Sequence, residues 1–171
     1  SSRVDPPDGA TWRGVMMGEP EDLWLVATDA GYGFTVRLRE TYSRNKAGKV
    51  LLKVPDGALV LPPAPVSDGK ALVAVSSKDG KLLVFPVKDV PELARGKGNK
   101  LFDIPAKKFA SRADHLTGMT VVAPDKSLIV HSGERTMTIA WKDLKDYRGA
   151  RAQRGSVLPR GWRTVDQLET D

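Results

Sequence analysis

Cysteine and long apolar runs are both missing from this chain of 171 residues. Without cysteine there is no disulfide, no thiolate zinc site and no cysteine nucleophile, and the composition fits a reducing compartment. No apolar run approaches the roughly 20 residues of a membrane-spanning helix, and the first residues hold no signal-peptide core. We therefore expect a cytoplasmic protein that has no membrane partner.

Motifs for metal binding, nucleotide binding and catalysis are missing too. His115 and His131 have no second histidine or carboxylate at ligand spacing, so each is predicted to be a surface or turn residue. A nucleotide-phosphate loop needs Ser or Thr after its Gly-Lys pair, and none of the Gly-Lys pairs here meets that requirement. The pattern at 31–33 lacks the third glycine and the helix of a dinucleotide site. We expect no catalytic residue, no metal and no cofactor in this fragment.

Long helices are not expected either, because 16 glycines and 12 prolines interrupt the chain. What is present is a unit repeated three times, about every fifty residues. Each unit has a short apolar strand, a glycine turn (29–31, 78–80 or 131–133) and a second strand. In the first unit Phe34, Val36 and Leu38 alternate with Thr35, Arg37 and Arg39, which predicts that both arginines face solvent. A helical turn is predicted at 87–93 and at 141–146. The fold class is therefore all-β, a propeller-like array of four-stranded blades.

Basic glycine-rich loops follow the hairpins, at 44–49, 95–100 and 151–155. Residues 1–30 hold two basic and six acidic side chains, whereas residues 31–61 hold six basic and two acidic ones. Stacked repeats would align the loops as one basic rim for a polyanion. Their glycines are expected to let backbone amides approach phosphate. The predicted phosphate contacts are Arg37, Arg39, Arg44, Lys46, Lys49, Lys81, Arg95, Lys97, Lys100, Arg148, Arg151, Arg154, Arg160 and Arg163.

Several strings in these repeats resemble a known family. Residues 28–34, 43–49 and 61–63, then 84–87 and 93–100, and finally 151–165, are similar to the C-terminal domain of the A subunit (ParC) of bacterial DNA topoisomerase IV, which is related to the C-terminal domain of the gyrase A subunit. The resemblance implies a β-pinwheel whose neighbouring blades exchange a strand. It assigns residues 1–11 to a linker or cut chain end. Residues 12–171 become a truncated pinwheel: a lead-in and about three repeats, at 12–61, 62–110 and 111–171.

The resemblance also implies a function for the larger protein. The parent is an A2B2 assembly of two A and two B subunits, a type IIA topoisomerase that uses ATP and Mg²⁺, at sites elsewhere, for decatenation and supercoil relaxation. It serves chromosome segregation in the bacterial cytoplasm, at the nucleoid. Gyrase domains of this fold carry the motif Gln-Arg-Arg-Gly-Gly-Lys-Gly, which is degenerate in all three loops here, so topoisomerase IV is favoured over gyrase.

Three hypotheses follow for the fragment. The first is a non-catalytic module that binds duplex DNA and orients it for strand passage. The second is a protein-interaction propeller whose basic rim docks an acidic partner or a bacterial condensin. The third, an independent enzyme, is opposed by the lack of any catalytic constellation. Salt-dependent binding to random duplex DNA distinguishes the first hypothesis from the second.

Overall fold

The structure is a computed structural model that describes residue 19 and residues 21–38, 53–93 and 96–170. Its strands, in chain order, are β1 (Leu23–Ala27), β2 (Tyr32–Arg37), β3 (Ala64–Val66), β4 (Leu72–Ser77), β5 (Lys81–Pro86), β6 (Asn99–Lys100), β7 (Leu116–Val122), β8 (Leu128–Ser132), β9 (Arg135–Ile139), β10 (Ser156–Val157) and β11 (Gln167–Thr170). The described helices are α1 (Ala106–Ala110) and two 3-10 helices, Val87–Asp89 and Trp141–Tyr147. None of these helices has the length and apolar character needed to cross a membrane.

Three antiparallel hairpins form the centres of three sheets. They are β1–β2, β4–β5 and β8–β9, and each turn holds a predicted glycine in a positive-φ conformation, at Gly31, Gly80 and Gly133. Glycine adopts this conformation without the steric penalty that a Cβ brings. The hairpins that the apolar runs and glycine turns predicted are therefore confirmed.

Each hairpin is completed by strands from further along the chain. The strand orders are β3-β1-β2-β6 in sheet I, β10-β5-β4-β7 in sheet II and β11-β8-β9 in sheet III, where three strands lie in the described part of the chain. β6 follows the second hairpin but pairs with the first, and β10 follows the third hairpin but pairs with the second. Successive blades therefore interlock by strand exchange. The all-β fold of blades is confirmed. The repeat boundaries stay a prediction, since each four-stranded sheet draws strands from more than one repeat.

The core lies between the stacked sheets. Leu25 of sheet I packs in one cluster with Val75 and Phe85 of sheet II, and Val84 of sheet II packs with Val130 of sheet III in a second cluster. Side chains of one strand alternate between its two faces, so sheet II contributes to both clusters. Each large apolar side chain buried in this way stabilises the fold by about 1.5–3 kcal/mol.

The alternation predicted in β2 is confirmed for the apolar residues, and the structure adds that Thr35 on the opposite face is covered. Phe34, Val36 and Leu38 are buried as expected, and Thr35 is only 2% exposed. The chain after the first 3-10 helix lies against this edge, and the Thr35 Oγ1 and backbone N–H donate to the carbonyl of Pro91 at 3.2 and 2.9 Å. The two predicted helical turns are confirmed as 3-10 helices.

Candidate nucleic-acid interface

The second and third basic loops reach the same place on two successive sheets. At the end of the second loop, Lys100 of β6 pairs with Tyr32, the first residue of β2. Just after the third loop, Val157 of β10 pairs with Lys81, the first residue of β5. We call the sheet edge that carries β6 or β10 the loop-side edge. The basic loops therefore recur along one side of the stacked blades, as a repeated unit should place them.

Two loop glycines are required by this docking. Gly98 has φ +82°, and a Cβ there would overlap the carbonyl of Gly33 and lie 2.9 Å from its Cα. Gly155 has φ +74°, and a Cβ there would lie 2.5 Å from the carbonyl oxygen of Leu82. Side-chain atoms cannot approach backbone so closely. The expectation that these glycines make room for phosphate is corrected, because their missing side chains make room for the neighbouring blade. Gly96 alone of the loop glycines in the described residues has open space, with its nearest neighbour 4.0 Å away.

Backbone hydrogen bonds connect the loop regions to one another. The N–H of Lys53, which follows the first loop, donates to the carbonyl of Gly96 in the second loop at 2.8 Å. The N–H of Ala152 in the third loop donates to the carbonyl of Leu101 at 3.0 Å. The alignment that the repeats predicted is therefore present between the second and third loops. The first loop, 44–49, lies outside the described residues.

Side chains at the junction of the second and third loops form a connected group of charges. Lys97 lies over the ring of Tyr32, with Nζ 4.5 Å from the ring centre, which is a cation–π contact. Lys100 and Arg154 both donate to Asp103, at 3.2 and 3.0 Å. Arg151 donates to the carbonyl of Lys100 at 2.7 Å. Cations of two repeats thus meet at one acidic residue.

Asp103 is held ionised by these neighbours. The hydrogen bonds from Arg154 and then Lys100 lower the pKa of its carboxyl below the ordinary value, and burial opposes them weakly. At neutral pH the group of Lys100, Asp103 and Arg154 therefore carries two positive charges and one negative charge. The excess positive charge is exposed, since 57% of the Arg154 side chain is accessible.

Further cations continue from this junction to sheets II and III. Arg163 packs on the turn of the second hairpin, where a Cβ at Gly80 would lie 2.6 Å from the Cβ of Arg163. Its Nε donates to the carbonyl of Leu158 at 3.1 Å. On sheet III, the guanidinium of Arg135 lies 4.5 Å from the ring centre of Trp162, in the same segment. We call Lys97, Lys100, Arg151, Arg154, Arg163 and Arg135 the basic row.

The remaining predicted contacts fall into three groups. Lys81 lines a small cleft with Arg154, while Arg148 and Arg160 are exposed, and their side chains make no hydrogen bond, ion pair or cation–π contact with the described residues. Arg37 lies at the far end of β2, where it pairs with Glu92 at 3.3 Å in a cleft that also holds Glu21, Asp22 and Asp68. This acidic setting disfavours a phosphate. The others lie outside the described residues: Arg39, Arg44, Lys46, Lys49 and Arg95. For every member of the predicted set, contact with DNA stays a prediction.

Sequence reasoning missed two cations near this surface. Lys108 of α1 lines the same small cleft as Lys81 and Arg154. Arg135 starts β9 just as Lys81 starts β5, so comparison of the hairpin positions would have revealed it. Lys108 had no such signal, because no helix was predicted at 106–110.

No group of three or more histidine, aspartate or glutamate side chains that could hold a metal ion occurs within residues 21–38, 53–93 and 96–170. His115 contacts the carbonyl of Leu116 at 3.0 Å, and His131 contacts Glu169 at 3.2 Å. These contacts tie each histidine to a neighbouring residue of its own blade. The basic row is complementary in charge to a polyanion, and the described residues form no evident catalytic site.

Comparison with known proteins agrees with the fold and the repeat. The sequence model of the family described as DNA gyrase C-terminal domain, beta-propeller, matches residues 22–67 and 72–123. The A subunit of DNA topoisomerase 4 from Pseudomonas aeruginosa is 42% identical over 173 residues, which cover 100% of this chain and 23% of that protein. The protein of the same name from Haemophilus influenzae is 38% identical, over 96% of this chain and 22% of that protein. The chain thus spans less than a quarter of the length of these relatives.

Solved structures give the same result. The Escherichia coli ParC C-terminal domain superimposes with a TM-score of 0.81 and 35% identity, covering 91% of this chain and 63% of that one. A crystal structure of the C-terminal domain of DNA topoisomerase IV gives a TM-score of 0.67 at 12% identity, covering 88% of this chain and 47% of that one, and supports the fold alone. With blades, strand exchange and family match in agreement, the chain belongs to the family of DNA gyrase C-terminal domains, which have a β-propeller fold.

Proposed function

We propose that this chain is the non-catalytic, DNA-binding C-terminal module of the A subunit of a topoisomerase IV. It binds duplex DNA through the phosphate backbone and orients it for the strand passage that the rest of the enzyme performs. The observation that carries the proposal is the basic row, which runs from the loop-side edge of sheet I to sheet III. A duplex presents one phosphate charge per about 1.7 Å of its axis, so cations spread over three blades can neutralise several phosphates of one duplex.

The chemistry of the row fits backbone contact and not base reading. Most of its cations are anchored by one hydrogen bond or ring contact, such as Arg151 on the carbonyl of Lys100, and keep further N–H groups for a ligand. The described helix of regular α geometry has five residues, too few to read a major groove in the usual way. Binding is therefore expected to be nearly independent of sequence.

The rest of the enzyme supplies the reaction. We propose that the parent protein forms an A2B2 assembly, in which two copies of the A chain join two copies of a B chain, in the bacterial cytoplasm at the nucleoid. It would take ATP and Mg²⁺ at sites outside this chain for decatenation and supercoil relaxation. The fragment by itself should neither relax a supercoiled plasmid nor hydrolyse ATP. Either activity in a clean preparation would refute the module assignment.

The direct test is a titration of a short fluorescent duplex of random sequence at several salt concentrations. Each phosphate neutralised contributes about −0.9 to the slope of log K against log salt, so four to six contacts from the row give about −3.6 to −5.4. A slope near zero would refute DNA binding and leave protein docking, with an acidic partner or a condensin, as the function to pursue.

A further inference from the structure

Asp103 occupies an unusual position in a surface that otherwise suits a polyanion. Its neighbours Phe102 and Ile104 are buried in the core between sheets I and II, and its own N–H donates to the carbonyl of Gln153 at 2.9 Å. The backbone of Asp103 is therefore fixed at the junction of the second and third basic loops. The side chain of Asp103 therefore starts from a fixed point beside Lys100 and Arg154.

Both carboxylate oxygens of Asp103 are used by cations of the row. Oδ1 accepts from Nζ of Lys100 at 3.2 Å, and Oδ2 accepts from Nε of Arg154 at 3.0 Å. The two cations come from different repeats. A DNA phosphate also offers two unesterified oxygens and one negative charge, and would be bound through the same donors. The carboxylate thus fills the role that a phosphate would fill at this point.

The site is open enough for exchange between the two anions. About a third of the Asp103 side chain is accessible, as are 40% of Lys100 and 57% of Arg154. Exposed ion pairs of this kind are weak, so a phosphate can displace the carboxylate, but it has to compete with it. The other acids of the adjoining cleft are Asp79 and Asp114. Asp114 is 5% exposed and its carboxylate accepts the N–H of Asp79, which is a structural role.

We propose that Asp103 is an internal competitor of DNA: its carboxylate occupies Lys100 and Arg154 in the free protein and so lowers the affinity of this junction for the phosphate backbone. The inference rests on the proposed function. A module that must release DNA after each strand passage benefits from such a limit on affinity. Removing the charge should free one additional cation for phosphate.

The test is Asp103→Asn in this fragment, in the salt titration described above. One further phosphate neutralised makes the slope of log K against log salt steeper by about 0.9. The gain in affinity over the unmodified fragment should therefore be about eight-fold larger at 0.1 M salt than at 1 M. Asp125→Asn is the matched control. Asp125 is an exposed residue of the β7–β8 turn at φ +67°, where asparagine is well tolerated, and the substitution changes the net charge equally. It should leave the slope unchanged.

A second pair of variants separates local competition from a general effect of charge. In a background that carries both Lys100→Gln and Arg154→Gln, the gain from Asp103→Asn should be lost, because neither of the two cations that the carboxylate contacts is left to bind phosphate. A gain that persists in full there would contradict the proposal. So would an Asp103→Asn variant that binds like the Asp125→Asn control, or more weakly than the unmodified fragment; weaker binding would make Asp103 a positioning residue for the two cations.

The outcomes also distinguish this inference from the proposed function. If the unmodified fragment shows no salt-dependent binding, the proposed function fails. If it binds as expected and Asp103→Asn adds no more than the control, the inference alone fails. Asp103→Glu, which keeps the charge, should bind like the unmodified fragment, and a similar melting temperature for all variants would show that each is folded.

Discussion

Alanine at Gly98 tests whether the second basic loop docks on the first hairpin as the structure has it. At φ +82° a Cβ introduces backbone strain, about 1–2 kcal/mol for a residue other than glycine. The same Cβ overlaps the backbone of Gly33, and overpacking of this kind costs about 1–3 kcal/mol more. We therefore expect Gly98→Ala to lower the free energy of unfolding by about 2–5 kcal/mol.

Gly57→Ala is the control that isolates the packing contribution. Gly57 has φ +78°, nearly the same as Gly98, but nothing lies within 4 Å of the place that its Cβ would take. It should lose only the strain, about 1–2 kcal/mol. Urea unfolding monitored by tryptophan fluorescence measures both variants. Equal losses at the two positions would refute close docking of the loop on Gly33, and with it the account of why the loop holds glycine.

The contacts lead to three further predictions. Neutralising Lys97 and Lys100 together should reduce the salt slope of DNA binding by about two units, whereas neutralising the exposed Lys126 and Lys142, outside the row, should change it much less; equal reductions would show that only total charge matters. Leu83→Ala removes a side chain that is 1% exposed and should cost about 2–5 kcal/mol in thermal or urea unfolding, so a loss below about 1 kcal/mol would contradict its place in the core. The pKa of Asp103 is lowered in the folded protein, so its ion pairs stabilise the fold above the unfolded pKa of about 3.9 and lose that contribution as the pH falls further. For such an exposed group the contribution is at most about 1 kcal/mol, so Asp103→Asn should be slightly less stable than the unmodified fragment at pH 7 and equal to it near pH 2. A difference in stability that widens in acid would contradict the assigned pairing.

The hairpins could be predicted because local signals coincide in them. Apolar runs such as Leu23–Ala27 end at a glycine that takes positive φ, and the chain reverses there. The burial of Phe34, Val36 and Leu38 follows from the period of a strand. These features depend on residues that are close in sequence, so they can be recognised from the sequence alone.

The pairing between repeats could not be predicted in the same way. β6 and β10 have two residues each and are polar or exposed, so they show no alternation of apolar and polar side chains. Their positions depend on contacts about seventy residues away in the chain, such as Leu82 with Ser156. The burial of Thr35 has the same origin, since it results from a segment of the next repeat that lies against it.

The site was predicted as a set of charges but not as an arrangement. The loops' basic character was visible in the composition, yet the convergence of Lys100 and Arg154 on Asp103 arises only when two repeats interlock. For the same reason Arg37 looked equivalent to the loop cations, although its strand carries it to the acidic cleft with Glu92. The number of basic and acidic residues indicates the sign of a partner's charge, and the fold determines which of the charged side chains lie close together.

The most direct test of the central claim is a residue-by-residue map of the DNA contact. Backbone amide shifts of the labelled fragment, recorded by NMR during titration with a short duplex, give that map. The account predicts the largest changes at residues 96–101, 151–155 and 160–163, with little change at 21–22 and 88–92 around the acidic cleft. Changes concentrated at that cleft or on the β7–β8 turn, with the loop-side edges unaffected, would contradict it.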